Sequence, residues 1–145
     1  MSAQLHIDAG VAIGTQGYED SLDDPRILSG LELLLRGKSV GLHVASEYTD
    51  LETFGALIST HADVVYRGAL GRNFSFLVGA GPTYVYNSEF DNDTTFNVEV
   101  EVARRFGRAD VFARVRQFDY TIGSAPDERS PKGPAVYVGA RFALR

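Results

Sequence analysis

The residues with the widest chemical range in this chain are three histidines, His6, His43 and His61, set among carboxylates and arginines. His61-x-Asp63 puts two potential metal ligands on one side of an extended chain. A zinc centre takes at least three protein ligands, and no third is spaced to join them. Nucleophilic catalysis would need a serine with a histidine base and an orienting acid within reach, and no local spacing marks such a set. Asp91-Asn92-Asp93 opens like a calcium-binding loop but lacks the glycine and distal glutamate of that motif, so it reads as a solvated loop. No catalytic residue, metal or cofactor is therefore expected. The chemistry left to these side chains is the pairing of opposite charges.

What must position them is a set of strands. Helical spacing is scarce, and period-2 alternation recurs from end to end. Val98, Val100 and Val102 alternate with Glu99 and Glu101; beyond a turn, Val111, Ala113 and Val115 alternate with Arg114 and Arg116. Eight strands are expected, at about 4–14, 26–36, 39–48, 55–67, 73–86, 95–105, 109–120 and 135–144. The segments TQGYEDSLDDP, TDLET, NSEFDND and TIGSAPDERSPKG are longer and polar, whereas GK, GALGR and FGR are short. Long connections alternate with short ones, the strand count is even, and both termini fall on the side of the short turns.

Bulk properties bound the answer. At 145 residues the chain suits one domain, residues 1–145. The net charge of −5 argues against a nucleic-acid partner. Cysteine is absent, which excludes disulfides and thiolate metal sites. No run of about 18 apolar residues indicates a transmembrane helix. No signal peptide is legible, and Met1 before SAQLHIDAG suits either a start placed before a processed chain or a native start. Averages of this kind do not reveal a membrane β-barrel, whose lipid-facing and lumen-facing residues cancel along each strand.

Applying the pleat strand by strand divides the residues into two faces. One carries Leu5 to Ile13, Ile27 to Leu35, Val40 to Val44, Ile58 to Tyr66, Phe74 to Tyr84, Phe96 to Val102, Val111 to Val115 and Val136 to Leu144, taken at alternate positions. Ser29, Ser46 and Thr60 are its polar interruptions. The other carries His6, Asp8, Glu32, Arg36, His43, Glu47, His61, Asp63, Arg67, Glu99, Glu101, Arg114, Arg116, Tyr137 and Arg141. Gly10, Gly30, Gly41, Gly79, Gly81 and Gly139 share this second face. Glycine weakens a strand interior and has no use on a solvated surface, but it makes room for arginines in a crowded lumen. The charged face is therefore expected inside, with Glu32, His43, His61, Asp63, Glu99, Glu101, Arg114, Arg116 and Arg141 as an interior polar network.

Charges in a narrow barrel must be paired. A two-residue GK loop would set Arg36 against Ser39 and Glu32 against His43. Arg105 against Arg108 would set Glu99 opposite Arg114 and Asn97 opposite Arg116, with Glu101 diagonal to Arg114. His61 and Asp63 would face Gly79 and Leu77. Pro82 removes one ladder donor and calls for a bulge or a rim position. Tyr48, Phe54, Tyr66, Phe74, Tyr84, Tyr86, Phe90 and Phe96 lie near strand ends, where interfacial aromatic girdles belong. An apolar exterior, a paired polar interior and a closed sheet are the β-solution that crosses a bilayer.

With strands such as FLVGAGPTYVY and the closing AVYVGARFAL, the chain resembles over its whole length the small eight-stranded outer-membrane β-barrels of Gram-negative bacteria, the OmpA transmembrane domain and OmpX type. The resemblance implies an all-β, antiparallel up-and-down transmembrane barrel with extracellular long loops and periplasmic termini. It also implies a monomer among outer-membrane lipid and lipopolysaccharide, placed there by the barrel-insertion machinery, which reads a terminal phenylalanine. Here Phe142 is followed by Ala143, Leu144 and Arg145, a departure from that pattern. Lipid A deacylases share this size and layout, but where they carry His-x-Ser this chain reads RQFDYTIG, with neither residue.

The expected function is thus a non-catalytic envelope protein of structural or surface-interacting role. A lipid A-modifying enzyme, a soluble lipocalin-like binding barrel with the apolar face inside, and a narrow gated pore are the alternatives. Glu19, Asp20, Asp23, Asp24, Asp50, Glu52, Glu89, Asp91, Asp93, Asp127 and Glu128 cluster on the longer-loop side, and Arg36, Lys38, Arg72, Arg104 and Arg108 on the other. The acidic side reads first as exposed loops kept soluble by their charge, and in a sharper reading as an anionic outer surface that recruits divalent cations or a basic partner.

Overall fold

The computed structural model describes residues 5–18, 26–50, 56–87, 93–118 and 131–144. Eight strands run in order: β1 His6–Tyr18, β2 Arg26–Arg36, β3 Val40–Asp50, β4 Ala56–Ala69, β5 Phe74–Asn87, β6 Asp93–Phe106, β7 Ala109–Phe118 and β8 Pro131–Ala143. Each pairs antiparallel with its sequence neighbours, and β1 pairs with β8, so the sheet closes on itself. Closure leaves no unpaired edge. β1, β3, β4, β5 and β6 run beyond the ends expected from the alternation, and β8 begins at Pro131, four residues before its expected start at 135.

The two faces fall as the alternation predicts. Val11, Ile13, Leu31, Val64, Val98, Val100, Val136 and Val138 are exposed, whereas Glu32, His43, His61, Asp63, Glu99, Glu101, Arg114, Arg116 and Arg141 are buried. An apolar-lined cavity of the lipocalin kind is thereby excluded. Tyr48, Tyr84, Tyr86 and Phe96 point outward toward the long-loop end, and Tyr66 and Phe74 toward the short-turn end. Phe54 and Phe90 lie outside the described residues, as do the side chains of the acidic segments.

Six of the inward glycines stand across from large inward side chains, and Gly81 stands across from Asn97. Gly10 pairs with Arg141, Gly14 with Tyr137, Gly30 with Glu47, Gly41 with Arg36, Gly79 with Glu99 and Gly139 with Phe112. The space is fully used. A β-carbon on Gly10 would lie 2.5 Å from Cγ of Arg141, and one on Gly139 would lie 2.5 Å from Cζ of Phe112.

The expected registers need correction. Arg36 faces Gly41 rather than Ser39, so Glu32 faces Ala45 and His43 faces Leu34. Phe106 faces Ala109 across a Gly107–Arg108 turn, Gly107 having a φ of 63°. Glu99 therefore opposes Arg116 and not Arg114, Glu101 lies directly opposite Arg114 instead of diagonally, and Asn97 pairs with Phe118. His61 faces Thr83, and the flanking pairs Val64–Ala80 and Val65–Gly79 keep Gly79 away from it. The shifts are two residues at the first and third short turns and four at the second, all even. An even slip leaves each side chain on its own face, whereas an odd one would invert the barrel.

Pro82 sits at neither a bulge nor a rim. It lies in mid-strand, facing outward, where the β4–β5 ladder is interrupted between the pairs His61–Thr83 and Val64–Ala80 with the register unchanged. Among the described residues, a shift of register lies between Thr15 and Gly17 in the β1–β8 pairing.

The lumen is not wholly polar. Leu28, Ala135 and Tyr137 form a buried apolar cluster toward the long-loop end, and Leu34, Val65 and Leu77 form another toward the short turns. These side chains interleave with the charges on the inward face. They fill the section that a side-chain-sized barrel of eight strands leaves open.

Candidate functional site

The candidate site is the charge network in the lumen. Seven strands supply it, from Glu32 on β2 to Tyr137 and Arg141 on β8, and β1 contributes the space at Gly10. Toward the short turns, Arg114 Nη2 donates to both oxygens of Glu32 at 2.8 and 2.9 Å and to Oε1 of Glu101 at 2.8 Å. Arg141 Nη1 donates to Glu32 at 2.9 Å and to Glu101 at 2.7 Å, and its Nη2 donates to the other oxygen of Glu101. Both guanidiniums lie over the Phe112 ring, each 4.5 Å from its centroid. Nη1 of Arg114 and Nε of Arg141 find no hydrogen-bond acceptor among the described residues, and the electron-rich ring face stands in for one.

Toward the long loops, Arg116 takes the central place. It donates to Glu47 at 2.7 Å, to Glu99 at 2.9 Å and to the side-chain oxygen of Asn97 at 3.0 Å. Tyr137 donates its hydroxyl to Glu47 at 2.8 Å, and Asn97 donates to Asp63 at 2.7 Å. His43 joins the two layers: Nε2 lies 2.9 Å from Glu32 and Nδ1 lies 2.9 Å from Glu99. Arg114 reaches Glu99 as well, at 3.5 Å.

Thus all nine residues expected in the polar network meet in one connected cluster. Sequence reasoning paired Asn97 with Arg116, which the structure shows, but missed Thr83 as a hydrogen-bonding member, left the inward-facing Glu47 and Tyr137 out of the network, and missed the ring of Phe112 beneath two arginines. The inventory also departs from balance, with five carboxylates (Glu32, Glu47, Asp63, Glu99, Glu101) against three guanidiniums, and with His43 and His61 placed between them. Desolvation of so many charges is costly unless each is bonded, and here nearly every oxygen has a donor.

Two arrangements resemble reactive sites. Thr83, His61 and Glu47 form a hydroxyl–imidazole–carboxylate line, with Oγ1 to Nδ1 at 2.6 Å and Nε2 to Oε1 at 3.0 Å. Thr83 and His61 are wholly buried, and Thr83 also accepts from Asn97 at 2.9 Å. No substrate can approach that hydroxyl, so the line acts as a clamp between β3, β4 and β5. His43, Asp63 and Glu99 place ligand atoms within 4.8 Å of one another. Two of the three are already engaged, His43 with Glu99 and Glu99 with Arg116 at 2.9 Å. A cation there would have to break these bonds beside a guanidinium.

A closed antiparallel barrel with eight strands, an apolar outer wall and a filled, ion-paired lumen defines the class of small transmembrane β-barrels. Solved structures agree at the level of the fold. Neisserial surface protein A (NspA) is 15% identical over 98% of this chain and 99% of its own, with a TM-score of 0.70. The N-terminal β-barrel domain of Pseudomonas aeruginosa OprF is 19% identical over 97% of this chain and 100% of its own, with a TM-score of 0.59. A de novo designed transmembrane β-barrel is 11% identical over 96% and 95%, with a TM-score of 0.67. No protein-family model matches the sequence, and no curated protein does.

Proposed function

We propose that this chain is an integral outer-membrane β-barrel that performs no catalysis and serves envelope structure or surface interaction. One observation carries this reading. Among the described strand side chains the outward face is apolar almost throughout, while the inward face holds a dense set of charges that bond one another. Water would solvate the charges and not the valines, so only a surrounding hydrocarbon favours this polarity. The lumen is packed with three arginines, two histidines and interleaved leucines, which disfavours the pore reading, and the hydroxyl–imidazole–carboxylate line found among the described residues is sealed from lipid. Outer-membrane relatives in fold support the location and the lipid and lipopolysaccharide surroundings. Insertion by the barrel-assembly machinery and a monomeric state follow from the same reading.

The acidic connections between β1 and β2, β3 and β4, β5 and β6, and β7 and β8 would face outside and recruit divalent cations or a basic partner. The Yersinia pestis protein Ail, solved with a heparin analogue, has the same fold at 12% identity and a TM-score of 0.57. A sulfated partner is the wrong sign for these acidic segments.

Partitioning tests the membrane reading. The barrel is expected to stay with membranes through a carbonate wash and to need detergent for extraction; a soluble monomer expressed without detergent contradicts it. An assay for acyl release from lipid A should read zero. A calcium titration should move the NMR signals of the acidic segments and leave the lumen unchanged.

A further inference from the structure

Among the described residues, the short-turn mouth of the barrel carries more positive charge than it pairs. Arg36 is bonded to Asp8 at 3.0 Å, and Arg105 is bonded to Asp110 at 2.6 Å. Arg67, half-buried beside them, has no carboxylate partner among the described residues. Asp110, a counter-charge acting on it, is already bonded to Arg105, while Arg36, Arg105 and Arg141 act on it as like charges. Next to it the β4–β5 turn, closed by Leu70 N–H donating to Phe74 at 2.9 Å, shapes a pocket of about 250 Å³. Arg67, Arg72, Arg105, Asn73, Ser75 and Phe74 line it. The backbone there is braced, because Arg105 N–H donates to the Asn73 carbonyl at 2.8 Å.

We propose that this pocket binds a phosphate group. Guanidinium forks flanked by an amide and a hydroxyl donor match a tetrahedral anion that offers several acceptor oxygens. The anion would supply the counter-charge that Arg67 lacks. Phe74 joins the pocket to the outer wall: its exposed ring lies 5.5 Å under the guanidinium of Arg104, which also sits 4.8 Å over Phe106. Arg104 is the one charged side chain on the outward face of the strands among those described. A phosphate that enters here would have its remaining atoms beside aromatic rings at the edge of the apolar belt, which favours a phospholipid headgroup as the source over free phosphate. Only that choice of source rests on the membrane reading; the pocket and its charges do not.

The test is NMR of the barrel refolded in octyl glucoside, a phosphate-free detergent, with the amides of residues 71–75 as reporters. One arm adds short-chain phosphatidylglycerol and the other adds inorganic phosphate. Saturable shifts of those amides with the lipid support the site and its lipid source. Saturation with inorganic phosphate alone supports the site and assigns it a free anion. The double variant R67Q/R72Q is expected to weaken the response at least about tenfold, the worth of one charge-assisted hydrogen bond, and Arg72→Gln alone, in an exposed turn, to weaken it in part. The signals of Glu47 and His61 report whether each variant is folded. No saturable shift in either arm, or an unchanged response in a folded variant, overturns the proposal.

Discussion

At the scale of single residues, stability rests on two kinds of position. Arg114 bonds Glu32 and Glu101 at 2.8 Å with its side chain wholly buried. Arg114→Gln leaves two buried carboxylates short of a counter-charge, and is expected to destabilise the barrel by about 3–5 kcal/mol. The Arg105 side chain is 34% exposed, but the same change leaves the buried Asp110 without its partner, so it should cost about 1–3 kcal/mol, less than at Arg114. Urea unfolding of the refolded barrel in vesicles compares the two. Glycine gives the second kind. A β-carbon at Gly139 would meet the Val11 carbonyl oxygen at 2.3 Å, whereas one at Gly71 meets nothing within 4 Å. Gly139→Ala should therefore lower refolding yield and stability by about 1–3 kcal/mol, and Gly71→Ala should do neither.

At the scale of strands, alternation carries one bit per residue, and that bit was fully legible. Which side Glu99, Arg116 or Gly10 takes follows from parity alone. Register did not follow, because it depends on how many residues each turn consumes. The chain writes GK where the structure turns over residues 37–40, with Gly37 N–H donating to the Val40 carbonyl at 2.9 Å. The partners were legible in part: Glu32 and His43, Glu99 and Arg114, and Asn97 and Arg116 meet as expected, but the pairs across the lumen were not, for a different reason. Arg114 and Glu32 are 82 residues apart and meet across the lumen from β7 and β2, while hairpin arguments reach only adjacent strands. Phe112 was overlooked because polarity was used to sort the faces, and an apolar residue between Asp110 and Arg114 breaks that rule. The observed register has a direct check in a chain without cysteine. Val100 and Val115 face each other across β6 and β7, so V100C/V115C should cross-link on oxidation. The pair V100C/A113C, facing in the expected register, should not, since diagonal neighbours lie about 7–8 Å apart.

At the scale of the whole molecule, the account makes the surroundings of the barrel part of its stability. Strands of 10 to 14 residues meet or exceed the about 9–11 needed to cross a bilayer when tilted, and the apolar belt lies along their middle. Val138 faces outward near the centre of β8 and Leu144 at its end. Val138→Arg should cost about 2–4 kcal/mol in vesicles, and Leu144→Arg no more than about 1 kcal/mol. A protein stabilised by water outside would show little difference between the two. The most direct measurement is a nitroxide scan in reconstituted vesicles, with labels placed singly at Val98, Val100, Val102, Val136 and Val138. The account predicts that all five collide readily with oxygen dissolved in the bilayer and are shielded from a water-soluble nickel chelate. Labels that meet the chelate freely at the strand centres would show the valines facing water, and would contradict the claim that the charges are the core.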